Sequence, residues 1–237
     1  MSRKKLKALE QQGFVMLCSA VAPAMIQALK NDCESLDAPI TGGGLRRAEM
    51  ALASVKVVLN SMSVRRLLKL YMGAADNHCY KAEPALVRAI LFDKTPKQNW
   101  LVAWHQDKTV CVTQRFELEG WGPWSVKNNV IHVQPPLVVL QHQLTLRIHI
   151  DDANANNGCL KILPSSHIAG VMKEVDIQTI DKSSAVICDA KAGDVLLMKP
   201  HVLHASSKAK TPSARRVLHL EFSTYRLPEG IAWAASY

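Results

Sequence analysis

The sequence has no paired cysteine motif and no apolar run long enough to cross a bilayer. Its six cysteines, at positions 18, 33, 79, 111, 159 and 188, include no Cys-x-x-Cys pair. This argues against a cysteine zinc site or a disulfide framework and favours reduced thiols. The apolar stretch 14–26 is too short for a membrane span, and the polar segment 10–13 before it and Pro23 within it argue against a signal peptide. We therefore expect a soluble, cytoplasmic protein with no membrane partner.

The positive charge is dispersed along the chain. Lysine and arginine number 29 against 20 acidic residues, a net charge of +9. No basic helix or aromatic-rich basic patch concentrates the surplus, so the pattern does not favour nucleic-acid binding; solubility or anionic small molecules are better uses for it. Apolar residues make up 48% of the chain, which is typical of a globular protein. We expect residues 1–237 to form a single domain, and the sequence does not define an oligomeric state.

Secondary-structure patterns divide the chain near residue 85. Residues 1–84 predict helical support, with helices over 3–12, 24–36, 48–59 and 62–74 and a strand over 14–17. Residues 85–225 predict the core. There, short strands separated by proline, glycine and asparagine are expected over 86–92, 100–104, 110–113, 137–140, 144–150, 160–163, 186–189, 194–198 and 217–222. The pattern predicts a mainly β sandwich or barrel with the N-terminal helices packed on one sheet.

Two side chains near the end of the strand at 100–104 have the spacing of metal ligands. His105 and Asp107 are two positions apart, so on an extended backbone they point to the same side. A third ligand would come from His201 or His204. Two histidines and one carboxylate on one face of an ion leave the other face open, as non-haem Fe(II) oxygenases require.

The order of these residues and three later segments resembles the phytanoyl-CoA dioxygenase-like family of Fe(II)/2-oxoglutarate oxygenases. The later segments are Asp151 to Asn157-Gly158 and Pro164-Ser-Ser-His167, then Gly193-Asp194 to His204-Ala-Ser206, then Arg215. The resemblance implies a double-stranded β-helix (jelly roll) with His105, Asp107 and His204 as metal ligands. His201 would instead cap a strand or contact solvent. It further implies Fe(II), 2-oxoglutarate and O₂ as cofactor and co-substrates. A small organic molecule would be hydroxylated, with release of succinate and CO₂.

The resemblance also implies residues that bind 2-oxoglutarate. Arg215, eleven positions after His204, would bind the far carboxylate, for which a guanidinium is the best partner. Strand alternation leaves Arg216 as an alternative, because Arg215 shares a face with His219 and Glu221, whereas Arg216 shares one with leucines and a phenylalanine. Ser206, Gln106 and Lys94 are further candidates, although alternation turns Gln106 away from the metal and a solvated Lys94 is the alternative.

The insertion 114–136 is expected to form a lid over the site. It contains Trp121, Trp124, Lys127 and His132, an aromatic and polar mixture suited to substrate recognition. The alternative is that the tryptophans cap one end of the barrel.

Two other functions remain open at this point. A cupin-like enzyme that holds another divalent ion without 2-oxoglutarate would release no succinate and would not depend on Arg215. A catalytically degenerate binding protein would bind an anionic polymer in a salt-sensitive way, even after loss of His105.

Overall fold

Short strands dominate the second half of the chain. The computed structural model describes residues 3–36, 40, 44–73, 81–211 and 213–235. Its strands are β1 (Phe14–Leu17), β2 (Leu45–Arg46), β3 (Lys81–Lys94), β4 (Val102–His105), β5 (Val110–Val112), β6 (Trp124–Lys127), β7 (Val130–Val133), β8 (Gln143–His149), β9 (Leu160–Ile162), β10 (Val186–Ile187), β11 (Val195–Met198), β12 (His204–Ser206) and β13 (Arg215–Tyr225).

Most of the helices precede the strand-rich region. They are α1 (Arg3–Gln12), α2 (Pro23–Glu34), α3 (Ala48–Ala51), α4 (Ala53–Leu59), α5 (Met62–Met72), α6 (Leu137–Gln141) and α7 (Glu174–Thr179), with 3₁₀ turns at Ala155–Asn157 and Ser166–Ala169. Among the described residues, no helix is long and apolar enough to cross a membrane.

The strands form two larger antiparallel sheets and one smaller sheet. The strand orders are β1-β11-β8-β13-β3-β2, β10-β9-β12-β4 and β5-β7-β6. Side chains of the two larger sheets meet between them, since Lys94 on β3 donates a hydrogen bond to Ser206 on β12. This arrangement confirms the mainly β jelly roll predicted from the sequence.

Strand alternation gives the six-stranded sheet one apolar and one polar face. Leu146 on β8 and Leu218 and Phe222 on β13 are fully buried and pack in one cluster with helix residues that include Leu29 and Val55. Burial of each such side chain contributes about 1.5–3 kcal/mol. The residues between them in sequence therefore point toward the four-stranded sheet.

Two sequence predictions are wrong in type or continuity. The helix expected over 48–59 is interrupted at Leu52, whose backbone is extended (φ −123°, ψ 117°) and whose side chain is buried in the core. The strand expected over 137–140 is helix α6. A run of four apolar residues fits either period, and Pro136, which has no N–H to donate to a neighbouring strand, immediately precedes the helix.

Arg216 lies on the helix-covered side and forms a bidentate ion pair with Asp151. Its Nε and Nη2 donate to Oδ2 and Oδ1 of Asp151 at 2.8 and 3.0 Å. The two side chains are 12% and 14% exposed. Burial raises the pKa of Asp151, but the hydrogen bonds and charge of Arg216 outweigh it, so the pKa lies below its usual value.

We predict that Asp151→Asn lowers the free energy of unfolding by about 2–3 kcal/mol at pH 7, because it removes the charge from a largely buried pair. A depressed carboxyl pKa stabilises the fold above the unfolded pKa, and this contribution is lost as the pH falls through the folded pKa. In urea unfolding, the difference between wild type and variant should therefore narrow below about pH 3.8. Asp152→Asn is the matched control. Asp152 is 51% exposed, so the loss should stay below about 1 kcal/mol; equal losses at both positions would contradict this account.

Candidate metal centre and its cavity

His105, Asp107 and His204 converge between the two larger sheets. His105 ends β4, and His204, which begins β12, lies directly opposite it in the pairing of the two strands. The Nε2 atoms of His105 and His204 lie 3.8 and 3.6 Å from the two carboxylate oxygens of Asp107. The three ligand atoms all lie within 4.8 Å of one another. This spacing fits three ligands on one ion, with bonds of about 2.0–2.2 Å.

Backbone carbonyls fix the orientation of both imidazoles. His105 Nδ1 lies 2.8 Å from the carbonyl oxygen of Ala103, and His204 Nδ1 lies 2.9 Å from that of Val202. A carbonyl oxygen can only accept, so each Nδ1 carries the hydrogen and each Nε2 directs a lone pair toward Asp107. Burial lowers the pKa of His204 to about 4, which keeps it neutral. Among the described residues, the buried Oδ2 of Asp107 has no hydrogen-bond partner. The donor set therefore fits a divalent metal ion.

His201 does not cap a strand or contact solvent, as the sequence had suggested. It is 3% exposed and its ring centroid lies 5.9 Å from that of His167. A turn in which Val202 N–H donates to the carbonyl of Lys199 packs against the start of β1, where Lys199 N–H donates to Gly13. His201 is buried in this turn and does not belong to the group of His105, Asp107 and His204.

Arg215 lines a cavity of about 500 Å³ together with the candidate metal ligands, and a second buried cation, Lys94, contacts the lining residue Ser206. Arg215 is 3% exposed, its Nε has no partner, and it makes no ion pair with a described carboxylate. Lys94 is 1% exposed and donates to Ser206 Oγ at 2.9 Å and to the carbonyl of Ser207 at 2.7 Å. Burial and the charge of Arg215 lower the pKa of Lys94 to about 8. Such a pair favours a bound carboxylate, because buried charge is costly without a counter-charge.

Gln106, a fourth candidate for 2-oxoglutarate binding, is among the residues that line the cavity, but its side-chain amide is bonded to three backbone groups. Its Nε2 donates to the carbonyls of Gly170 and His201 at 2.8 and 2.7 Å, and its Oε1 accepts from the N–H of Met172 at 2.8 Å. Alternation at the strand end turns the side chain to the opposite side from His105 and Asp107. These hydrogen bonds connect the backbone next to His105 and Asp107 with the segments that contain His201 and Met172.

We predict that Gln106→Leu lowers the free energy of unfolding by about 2–4 kcal/mol, because three backbone groups lose their partner. The affinity for 2-oxoglutarate should change less than about threefold, roughly 0.7 kcal/mol. Gln143→Leu is a matched control: Gln143 is 2% exposed and neither of its amide atoms has a partner in the described part of the chain, so the change should be nearly neutral or stabilising. Urea unfolding and a binding titration measure the two effects. A large loss of 2-oxoglutarate affinity in the Gln106 variant would indicate that Gln106 contacts 2-oxoglutarate directly.

A chain of buried charged residues beside Asp107 was not predicted from the sequence. Arg147 Nη1 lies 2.9 Å from His219 Nδ1, His219 Nε2 lies 2.8 Å from Glu221 Oε1, and Arg88 donates to both oxygens of Glu221. Arginine can only donate, so His219 accepts at Nδ1 and donates from Nε2. Both ring nitrogens are thus used, and His219 does not join Glu221 and Asp107 in a second metal site, although the three ligand atoms are within 4.8 Å.

The four candidate residues of the insertion 114–136 separate into two pairs. Lys127 and His132 line the cavity. Trp121 and Trp124 lie outside the lining and pack on Phe116, with ring centroids 4.8 and 5.2 Å apart. Strands β6 and β7 of this insertion form a hairpin that joins β5, which the sequence did not predict.

Fold and site together define a jelly-roll protein with an open ligand set of two histidines and one carboxylate. The chain belongs to the phytanoyl-CoA dioxygenase (PhyH) family, whose model matches residues 9–217.

Two curated relatives carry the family name. Phytanoyl-CoA dioxygenase 1 of Oryza sativa subsp. japonica is 24% identical over 162 residues, which cover 64% of this chain and 48% of the rice protein. The phytanoyl-CoA dioxygenase domain-containing protein 1 homolog of Dictyostelium discoideum is 28% identical over 88 residues, 30% of this chain and 31% of that protein. The matched stretches thus span about half or less of the length of these relatives.

Solved structures of low sequence identity share the fold. EctD from S. alaskensis with 2-oxoglutarate and 5-hydroxyectoine has a TM-score of 0.70 at 16% identity, covering 96% of this chain and 78% of that one. HygX from Streptomyces hygroscopicus with nickel and 2-oxoglutarate has a TM-score of 0.65 at 12% identity, covering 94% and 86%. The α-ketoglutarate-dependent carbocyclase SnoK from nogalamycin biosynthesis has a TM-score of 0.64 at 17% identity, covering 97% and 88%.

Proposed function

We propose that the protein is a non-haem Fe(II)- and 2-oxoglutarate-dependent dioxygenase that hydroxylates a small organic molecule with release of succinate and CO₂. The observation that carries the proposal is the pairing of two sites in one cavity. The Nε2 atoms of His105 and His204 face the carboxylate of Asp107, and Arg215, whose Nε has no partner among the described residues, lines the same cavity. Membership of the phytanoyl-CoA dioxygenase family supports this function.

His105, Asp107 and His204 would hold Fe(II), leaving the opposite face of the ion open. Arg215 would bind the far carboxylate of 2-oxoglutarate, with Ser206 beside it and Lys94 holding Ser206 in place through their hydrogen bond. When bound, Fe(II) and 2-oxoglutarate supply the oxidising chemistry by activating O₂ as the co-substrate is decarboxylated.

The remaining cavity wall would exclude water and position the substrate. Ile90, Phe92 and Leu160 provide apolar surface in the cavity, while Lys127 and His132 of the insertion 114–136 line another part of it. A dry, shaped cavity protects the protein itself from oxidation. The segment that we expected to be a lid thus contributes a wall of the proposed substrate pocket.

The test is an anaerobic titration of metal-free protein with Fe(II) and then 2-oxoglutarate. A visible charge-transfer band of chelated 2-oxoglutarate, followed by succinate release on admission of O₂, is the expected result. Tight metal binding without the band would favour the cupin-like alternative. Salt-sensitive binding of a polyanion that survives His105→Ala, with no metal bound, would favour a degenerate binding protein.

The reaction type is tested by the mass of the product. Hydroxylation adds one oxygen atom to the substrate, whereas ring closure of the kind named for SnoK removes two hydrogen atoms. Mass spectrometry of turned-over substrate therefore distinguishes the two outcomes. A product that has lost hydrogen and gained no oxygen would contradict the hydroxylase assignment while leaving the dioxygenase cofactors in place.

A further inference from the structure

Basic side chains outnumber acidic ones in the cavity lining. The basic ones are Arg46, Arg88, Lys108, Lys127, Arg147 and Arg215, and only Asp107 and Glu221 are acidic. Fe(II) and the 2-oxoglutarate dianion carry equal and opposite charges. Loading with both therefore leaves this positive surplus in place, and a further anion is favoured.

Partners already present identify which cations remain available. Glu221 pairs with Arg88, with Nη2 2.8 Å from Oε2, and Lys108 donates to the carbonyl of Met172 at 3.2 Å. Arg147 donates to His219, and Arg215 is assigned to 2-oxoglutarate. Within the part of the chain that the structure describes, the side chains of Arg46 and Lys127 make no hydrogen bond or ion pair.

Arg46 and Lys127 lie together around His132. All three line the cavity. Burial and the charges of Arg88, Arg46 and Lys127 together lower the pKa of His132 to about 4. His132 is therefore neutral at pH 7 and adds no charge of its own to this corner.

The corner is separate from the proposed 2-oxoglutarate site. Arg46 on β2 pairs with Ile90 of β3, and Arg215 on β13 pairs with Lys94 of the same strand. Four residues along a strand correspond to about 13 Å. One 2-oxoglutarate molecule therefore cannot neutralise both ends while it chelates the metal.

We propose that the substrate carries an anionic group, a carboxylate or a phosphate, which Arg46 and Lys127 bind at the end of the cavity away from Arg215. The guanidinium provides a bidentate fork and the ammonium a point charge, which together suit either oxyanion. The carbon to be oxidised would then lie between this anchor and the metal centre. This inference rests on the proposed function and specifies its substrate class.

Calorimetric titration of protein loaded with Ni(II) and saturating 2-oxoglutarate tests the inference without turnover. The probes share one carbon chain: hexyl phosphate, hexanoate and 1-hexanol, at low ionic strength. We expect at least one anion to bind at least tenfold more tightly than the alcohol, about 1.4 kcal/mol. The tighter of the two anions identifies phosphate or carboxylate as the preferred group. Arg46→Gln/Lys127→Gln should lower that affinity at least tenfold.

Arg66→Gln/Lys69→Gln is the matched control, because it makes the same change of charge on exposed positions of helix α5. It should leave anion binding unchanged. Arg46→Glu/Lys127→Glu should reverse the preference from hexyl phosphate to hexylammonium, a gain that misfolding does not produce. Equal binding of the three probes by wild type, or unchanged anion binding in Arg46→Gln/Lys127→Gln, would overturn the inference.

The failure of this inference and the failure of the proposed function are distinguishable. The charge-transfer band of the Fe(II)–2-oxoglutarate complex should be the same in wild type and Arg46→Gln/Lys127→Gln. A normal band without anion preference contradicts the substrate class alone. Anion preference without a band in wild type contradicts the dioxygenase and leaves the anion site supported.

Discussion

Replacing His204 with alanine should abolish tight Fe(II) binding and, with it, succinate release. The variant loses one of three protein ligands and leaves Asp107 with a single imidazole partner, His105. Loss of an outer-shell partner already costs about 10–100-fold in metal affinity, so loss of a direct ligand should cost more than about 100-fold. Competition with a chromophoric chelator measures the affinity, and the charge-transfer band reports whether 2-oxoglutarate still chelates the metal.

His201→Ala is the matched control for this prediction. Both histidines are 3% exposed, so each substitution removes a buried imidazole. The His201 imidazole belongs to neither candidate group of metal ligands among the described residues, and its variant should keep the metal affinity of wild type even if it is less stable. Retention of metal by the His204 variant together with loss in the His201 variant would reverse the ligand assignment.

Arg215→Gln should raise the dissociation constant for 2-oxoglutarate by about 100- to 4,000-fold, with little effect on Fe(II) affinity. Removing one partner from a buried charge pair costs about 3–5 kcal/mol, and each 1.4 kcal/mol is tenfold in affinity. The effect should be large because Arg215 is 3% exposed and its Nε has no hydrogen-bond partner among the residues that the structure describes. Titration of the charge-transfer band against 2-oxoglutarate measures it.

Arg216→Gln is the matched control, because it removes the same charge from the opposite face of the same strand. Arg216 pairs with Asp151 on the other side of the sheet, so its variant should be less stable but should bind 2-oxoglutarate normally. A weakened band in Arg216→Gln with a normal band in Arg215→Gln would contradict the assignment of the 2-oxoglutarate carboxylate to Arg215.

Local patterns predicted the parts of the site that depend on neighbouring residues. The two-residue spacing of His105 and Asp107 placed both on one side of the strand, and the structure keeps them there. Alternation alone left Arg215 and Arg216 as alternatives, and it could not reveal that Arg216 forms an ion pair with Asp151. The preference for His204 over His201 came from the family pattern, because the turn that buries His201 depends on contacts with β1.

Long-range packing explains what the sequence did not predict. Arg147 lies in a predicted strand in which polar and apolar residues alternate. A polar inner face could therefore have been inferred from the sequence; its residues are Gln143, Thr145, Arg147 and His149. The partner of Arg147, His219, comes from β13, and the pairing depends on strand register, which no single segment contains. The short apolar run at α6 was ambiguous for the same reason, since only its tertiary contacts decide between helix and strand.

The backbone carbonyls that orient the two proposed metal-binding histidines affect how the substrate selectivity of this protein can change. Each imidazole is oriented by the carbonyl two residues before it, so no distant side chain is needed to aim either ring. The anion-binding corner, by contrast, is built from β2 and from the β6–β7 hairpin. If the proposed metal site and anion site are correct, substitutions in β2 and the hairpin should change substrate selectivity without moving the metal-binding imidazoles, which makes the corner the place to redesign selectivity.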